Sequence, residues 1–159
     1  MDATDLLVGE ISSRMRRVLG NGEQCLGQLD EGQVWYRAHP RDNAIGNLIL
    51  HIVGSFQAVL GLIGDQPVSR NRSAEFSATQ GKSKDELTRM LHETIEEFCR
   101  VIESVPSTRI SEVRRIHDFE TTMANVLVGA VSHLSVHVGQ MQFIAKSLLQ
   151  EAYKESSAR

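Results

Sequence analysis

Ala44-Ile45-Gly46-Asn47-Leu48-Ile49-Leu50-His51-Ile52-Val53-Gly54-Ser55-Phe56-Gln57-Ala58-Val59-Leu60 is apolar on nearly every side when read at 3.6 residues per turn. A helix without a polar face belongs inside a bundle, because a surface helix keeps one side for water. Asp42 or Asn43 is expected to cap it, Gly64-Asp65 to end it, and Gly46 and Gly54 to let a neighbouring helix come close. His51 sits in its middle, where an unpaired imidazole is costly to bury. A single hydrogen bond would satisfy it, and a metal ion would satisfy it differently.

Three further helical patterns flank this one. Leu6, Leu7, Ile11, Met15, Val18, Leu19, Cys25, Leu26 and Leu29 trace an amphipathic stripe, with a kink or weak spot expected at Gly20-Asn21-Gly22. Ser83, with Glu86 three residues on, forms a capping box ahead of the stripe Leu87, Leu91, Ile95, Phe98, Val101 and Ile102, which Pro106 ends. Thr121 or Thr122 opens the last helix, where Met123, Val126, Leu127, Ala130, His133, Leu134, His137, Met141, Ile144 and Leu148 share one broad stripe. The helices are expected at about 2–30, 42–62, 83–104 and 121–151, in a single domain spanning 1–159. No strand is expected, and Ile110 to Glu120 reads as an irregular link. Residues 64–83 form a long polar crossover, so the expected fold is an all-α four-helix bundle with a crossover between its second and third helices.

Composition narrows the function classes. The chain is 41% hydrophobic and 23% charged, with a net charge of −3 and no basic stripe, which argues against nucleic acid as a partner. Arg14-Met15-Arg16-Arg17 and Arg114-Arg115 read as solvated surface. No run is read as reaching the roughly 18 apolar residues of a membrane span, and the acidic start is unlike a signal peptide. Cys25 and Cys99 stand apart as reduced packing thiols, which points to a cytoplasmic protein.

Of the six histidines, His39 precedes a proline, His92 lies off its helix's apolar stripe, and His117 falls in the link. His133 and His137 are four apart, so both imidazoles leave one helical face. With His51 from a second helix packing on the same core, they make a three-imidazole set, the ligand number of an open catalytic zinc site.

Three segments carry a resemblance. Asn47 to Phe56 looks like the second-helix segment of the DinB/YfiT-like superfamily; Arg70-Asn71-Arg72-Ser73-Ala74-Glu75-Phe76 resembles the crossover of one branch of it; His133 to Gln140 resembles its fourth-helix histidine pair with Gly-Gln following. The resemblance implies an up-down-down-up bundle, a homodimer, and a divalent metal on His51, His133 and His137. Zinc or nickel is expected first, with iron or manganese as further options. It also implies a metal-dependent enzyme on a small-molecule electrophile, as a thiol transferase using a low-molecular-weight thiol or as a hydrolase. The alternative is a non-catalytic, dimeric metal- or ligand-binding bundle acting as a stress-related interaction protein. No catalytic acid or base carries over.

Around the metal set, Asn47 lies one turn before His51 and either lines the cavity or packs the helix. Gln140 either orients an imidazole or is a surface glutamine. Trp35, Tyr36 and Arg37 are read as a lid or, preferably, as cover for the helix ends. Arg70 and Arg72 either bind an anionic part of a substrate or thiol, or are simply solvated.

Overall fold

The structure is a computed structural model describing residues 3–66, 68–116 and 119–155. It is mostly helical, with α1 (Ala3–Leu26), α2 (Glu31–Val34), α3 (Ile45–Ile63), α4 (Arg72–Ser77), α5 (Lys84–Ser104), α6 (Ser107–Ile110), β1 (Val113–Ile116), β2 (Phe119–Thr122) and α7 (Met123–Leu149). Four long helices carry the core: α1 packs on α5 and α7, and α3 packs on the same two helices.

The periodic stripes are what these contacts bury. On α5, Leu87, Leu91, Ile95, Phe98 and Ile102 are fully enclosed, and Phe98 meets Phe56 of α3 edge-on with ring centroids 4.8 Å apart. The capping box forms as the sequence suggests: Ser83 Oγ accepts from Glu86 N–H at 3.1 Å, and Glu86 Oε2 accepts from Ser83 N–H at 2.9 Å. Thr122 caps α7 by accepting from Asn125 N–H at 3.2 Å.

Several expectations need correction. α1 runs unbroken through Gly20-Asn21-Gly22. Packing between α5 and α7 outweighs the roughly 1 kcal/mol intrinsic preference against each glycine; Gly22 lies against Leu91 and Val138. α3 starts at Ile45 without a side-chain cap from Asp42 or Asn43, and Asn47 Oδ1 instead reaches back to the Ala44 N–H at 3.0 Å. The irregular link contains an antiparallel hairpin, with Val113 opposite Thr122 and Ile116 opposite Phe119, so the chain is not purely α-helical. His117 lies outside the described residues. Arg114 is not solvated: it pairs with Asp65 and Glu112, and Arg109 joins both, tying the hairpin to the end of α3. Arg16 likewise bridges Glu96 and Glu103 of α5. Finally, Ile45–Ile63 is long and apolar enough to cross a membrane, contrary to the sequence reading, but more than half of it is buried inside the bundle.

Replacing Phe98 with alanine removes a fully enclosed ring from the α3–α5 contact. The expected loss is about 3–5 kcal/mol, read as a lowered midpoint in urea unfolding followed by circular dichroism.

Candidate metal centre

α3 and α7 face each other at the level where their histidines lie. His51 Nε2 is 3.0 Å from His133 Nε2, and His133 Nε2 is 3.1 Å from His137 Nε2. The ligand atoms of all three residues fall within 4.8 Å of one another. Nitrogens each bound at roughly 2.0–2.1 Å to one ion lie about 2.8–3.4 Å apart, between octahedral and tetrahedral angles. His51–His133 and His133–His137 already have that spacing, and the third pair lies within 4.8 Å. His51 is buried at 6% exposure, whereas His133 and His137 are half-buried, leaving the cluster with a side toward solvent.

The outer ring nitrogens explain which atoms point inward. His137 Nδ1 is 2.7 Å from Gln140 Oε1, an oxygen that only accepts, so Nδ1 donates and Nε2 presents its lone pair. His51 Nδ1 is 3.0 Å from Glu75 Oε2, and Arg70 Nη2 is 2.9 Å from the same nitrogen. The two Nη2 hydrogens have other acceptors, Glu75 Oε2 at 2.7 Å and His51 O at 3.4 Å. Donation from His51 Nδ1 to the carboxylate therefore avoids two lone pairs facing each other, and it again bares Nε2 toward the cluster. Two bare lone pairs aimed at one point repel unless a cation or a proton sits between them. That donor set fits a divalent ion.

Electrostatics act in the same sense. Burial, then the neighbouring His137 and His51, push His133 down to about 4. Burial also lowers His51, reinforced by His137 and Arg70 and opposed by its hydrogen bond to Glu75. These two imidazoles are neutral at pH 7 and available as ligands. For Glu75, burial works to raise the pKa, but the hydrogen bonds from Arg70 and His51 outweigh it and hold the carboxyl below its usual range.

The remaining candidates are placed as follows. Asn47 is fully buried and fastens the crossover: its amide donates to Glu75 O at 2.9 Å and Ala78 O at 2.7 Å, and its oxygen accepts from Arg37 at 2.8 Å. Arg37 reaches Ala78 O at 2.6 Å and Phe76 O at 3.2 Å. Arg70 is held by Glu75, with Nε to Oε1 at 2.6 Å, and Arg72 stacks on Phe76, 5.0 Å from the ring centroid. Phe76 in turn lies 4.6 Å from the His51 ring. Trp35 is not at the cluster: it lies on Gly46 and donates to Lys82 O at 2.9 Å. Gly46 and Gly54 admit side chains and not helices, since a Cβ on Gly46 would lie 2.8 Å from the Trp35 ring. His92 is exposed and pairs with Glu23 at 2.7 Å; His39 Nδ1 accepts from Arg41 N–H.

Glu75 is the site residue that sequence reasoning missed. The signal available for it was Gly54, which follows His51 by three residues on the same helix. A Cβ there would lie 2.2 Å from Glu75 Oε1.

A helical protein with a convergent three-histidine cluster is thus the class that fold and site define. Residues 2–158 match the family described as "Protein of unknown function (DUF1572)", and the chain belongs to that family. A crystal structure of a conserved protein from Enterococcus faecalis has the same fold: TM-score 0.76 at 14% identity, over 92% of this chain and 96% of that one. No curated protein gives a significant match.

Gly54→Ala is expected to force Glu75 and Arg70 away from α3, with a loss on the order of 1–3 kcal/mol from overpacking. Chemical denaturation measures the loss, and a crystal structure of the variant shows the displaced carboxylate.

Proposed function

We propose that this chain is a DinB-like metalloprotein holding one divalent ion on His51, His133 and His137, and that it works as a metal-dependent enzyme on a small electrophile. The observation that carries this reading is the inward convergence of three Nε2 atoms at 3.0 and 3.1 Å with a half-open side. Pair contacts support the up-down-down-up arrangement. Ser12, Arg16 and Glu23 of α1 meet Cys99, Glu96 and His92 of α5, so those two helices are antiparallel. Gly46 and Phe56 on α3 lie level with the start of α5 and with Phe98, so α3 and α5 run together.

Imidazole donors suit zinc, nickel, iron and copper, with zinc or nickel first; manganese, which prefers oxygen donors, is the remaining candidate. When bound, the ion supplies Lewis acidity that acidifies a thiol or water and polarises a carbonyl. The chain's own residues keep His51 and His133 neutral and hold His51 and His137 with Nε2 inward. Gln140, which orients His137, also lines a cleft of about 1010 Å³ with Tyr36, Arg37, Arg41, Leu48 and Phe143. Gln140 links that cleft, which could take a small substrate or thiol cofactor, to the cluster through His137. Thiol transfer and hydrolysis are the two reactions this arrangement suits. Cytoplasmic location and a homodimer belong to the same proposal. A non-catalytic dimeric bundle is the second reading, favoured by the exposed apolar residues Val136 (58%) and Phe143 (72%) on α7.

Purified protein equilibrated with zinc or nickel is expected to hold one ion per chain by elemental analysis, and His51→Ala to lose that ion. Protein free of metal, together with unchanged uptake by His51→Ala, contradicts the assignment. The metallated protein, offered several low-molecular-weight thiols with a model electrophile and then hydrolysable esters and amides, is expected to turn over at least one. Silence in every assay favours the binding reading.

A further inference from the structure

The crossover was expected to be a long polar connection, yet it delivers a carboxylate that touches the histidine cluster. α4 is only six residues long, and its cap is local, with Asn71 Oδ1 accepting from Ala74 N–H at 3.0 Å. Its position comes from elsewhere. Asn47 and Arg37 grip the carbonyls of Glu75, Phe76 and Ala78, and Gly54 leaves room for the Glu75 carboxylate against α3. Arg70 then takes both carboxylate oxygens, Nε on Oε1 at 2.6 Å and Nη2 on Oε2 at 2.7 Å. That two-pronged clamp matches the flat carboxylate and fixes its plane. The outcome is Oε2 at 3.0 Å from His51 Nδ1, with Glu75 9% exposed.

We propose that Glu75, clamped by Arg70, is the positioning residue of the centre: it fixes His51 as the Nδ1–H tautomer, turns Nε2 toward His133, and strengthens that nitrogen as a donor. This rests on the metal reading above for its purpose, but the tautomer is a property of the metal-free chain. Glu75 and Gln140 divide the work unequally. Gln140 is neutral and reaches His137 from three residues away on the same helix. Glu75 is charged and reaches His51 from a separate segment 24 residues along the chain. A carboxylate behind a histidine ligand makes it more basic, whereas an amide mainly holds the ring. His51 is therefore the ligand whose quality depends on the crossover.

The test reads two signals. In metal-free protein, two-bond proton–nitrogen correlation spectra assign the His51 tautomer; separately, zinc affinity is measured by competition with a chromophoric chelator. Wild type is expected to show the Nδ1–H form. Glu75→Ala is expected to pass largely to the Nε2–H form and to bind zinc about 10–100-fold more weakly. Glu75→Gln, which keeps an acceptor oxygen without the charge, is expected to hold the tautomer and to lose on the order of tenfold. A role limited to packing the crossover would change unfolding midpoints in both variants and neither of these signals. The proposal is overturned if His51 keeps the Nδ1–H form in Glu75→Ala, or if zinc affinity in a folded Glu75→Gln stays within twofold of wild type. Should Glu75→Ala not fold, the Glu75→Gln affinity decides. If wild type binds no zinc at all, the metal reading falls, while the tautomer comparison still decides whether Glu75 positions His51.

Discussion

A polar ring in the middle of the most apolar helix has to be satisfied from outside that helix, and this end of the bundle is organised around doing so. His51 is 6% exposed, and both of its ring nitrogens are engaged. One faces the carboxylate of Glu75, and the other faces the histidine pair of α7. Neither contact comes from a sequence neighbour. Satisfying His51 thus requires that α7 present its histidine face to α3 and that the crossover turn back across α3. An imidazole buried without those partners would face a desolvation penalty of a few kcal/mol.

The supports form a chain of dependence. Arg37 and Asn47 hold the crossover carbonyls; the crossover places Glu75; Arg70 clamps Glu75; Glu75 meets His51. Gly54 is the space that makes the clamp fit. Buried polar networks of this kind matter because each member left unpaired is costly, so the arrangement is close to all-or-none. Two arginines of the crossover take part in this network: Arg70 is held by Glu75, and the exposed Arg72 stacks on the ring that lies against His51.

How much of this could be read from the residues follows from the range of each interaction. The four long helices were legible because their stripes repeat over five or more turns, and the His133–His137 pair because four residues bring side chains onto one helical face. His51 was legible as a polar residue out of place. Glu75 was not, since it approaches His51 across a segment with no periodicity, and only the small Gly54 hints at it. The hairpin was illegible for another reason: β1 and β2 are four residues each, too short for an alternating pattern to stand out, and charged residues fill Arg114, Arg115 and Glu120. At Gly20-Asn21-Gly22, local preference pointed to a break, and packing against Leu91 and Val138 prevailed.

The central claim is that the three imidazoles form one metal site and not a set of hydrogen-bonded rings. Crystals of the zinc-loaded protein, measured on both sides of the zinc absorption edge, test it directly. The account predicts a single anomalous peak per chain, within bonding distance of Nε2 of His51, His133 and His137. A peak elsewhere, or a map with none between those three rings, would contradict it.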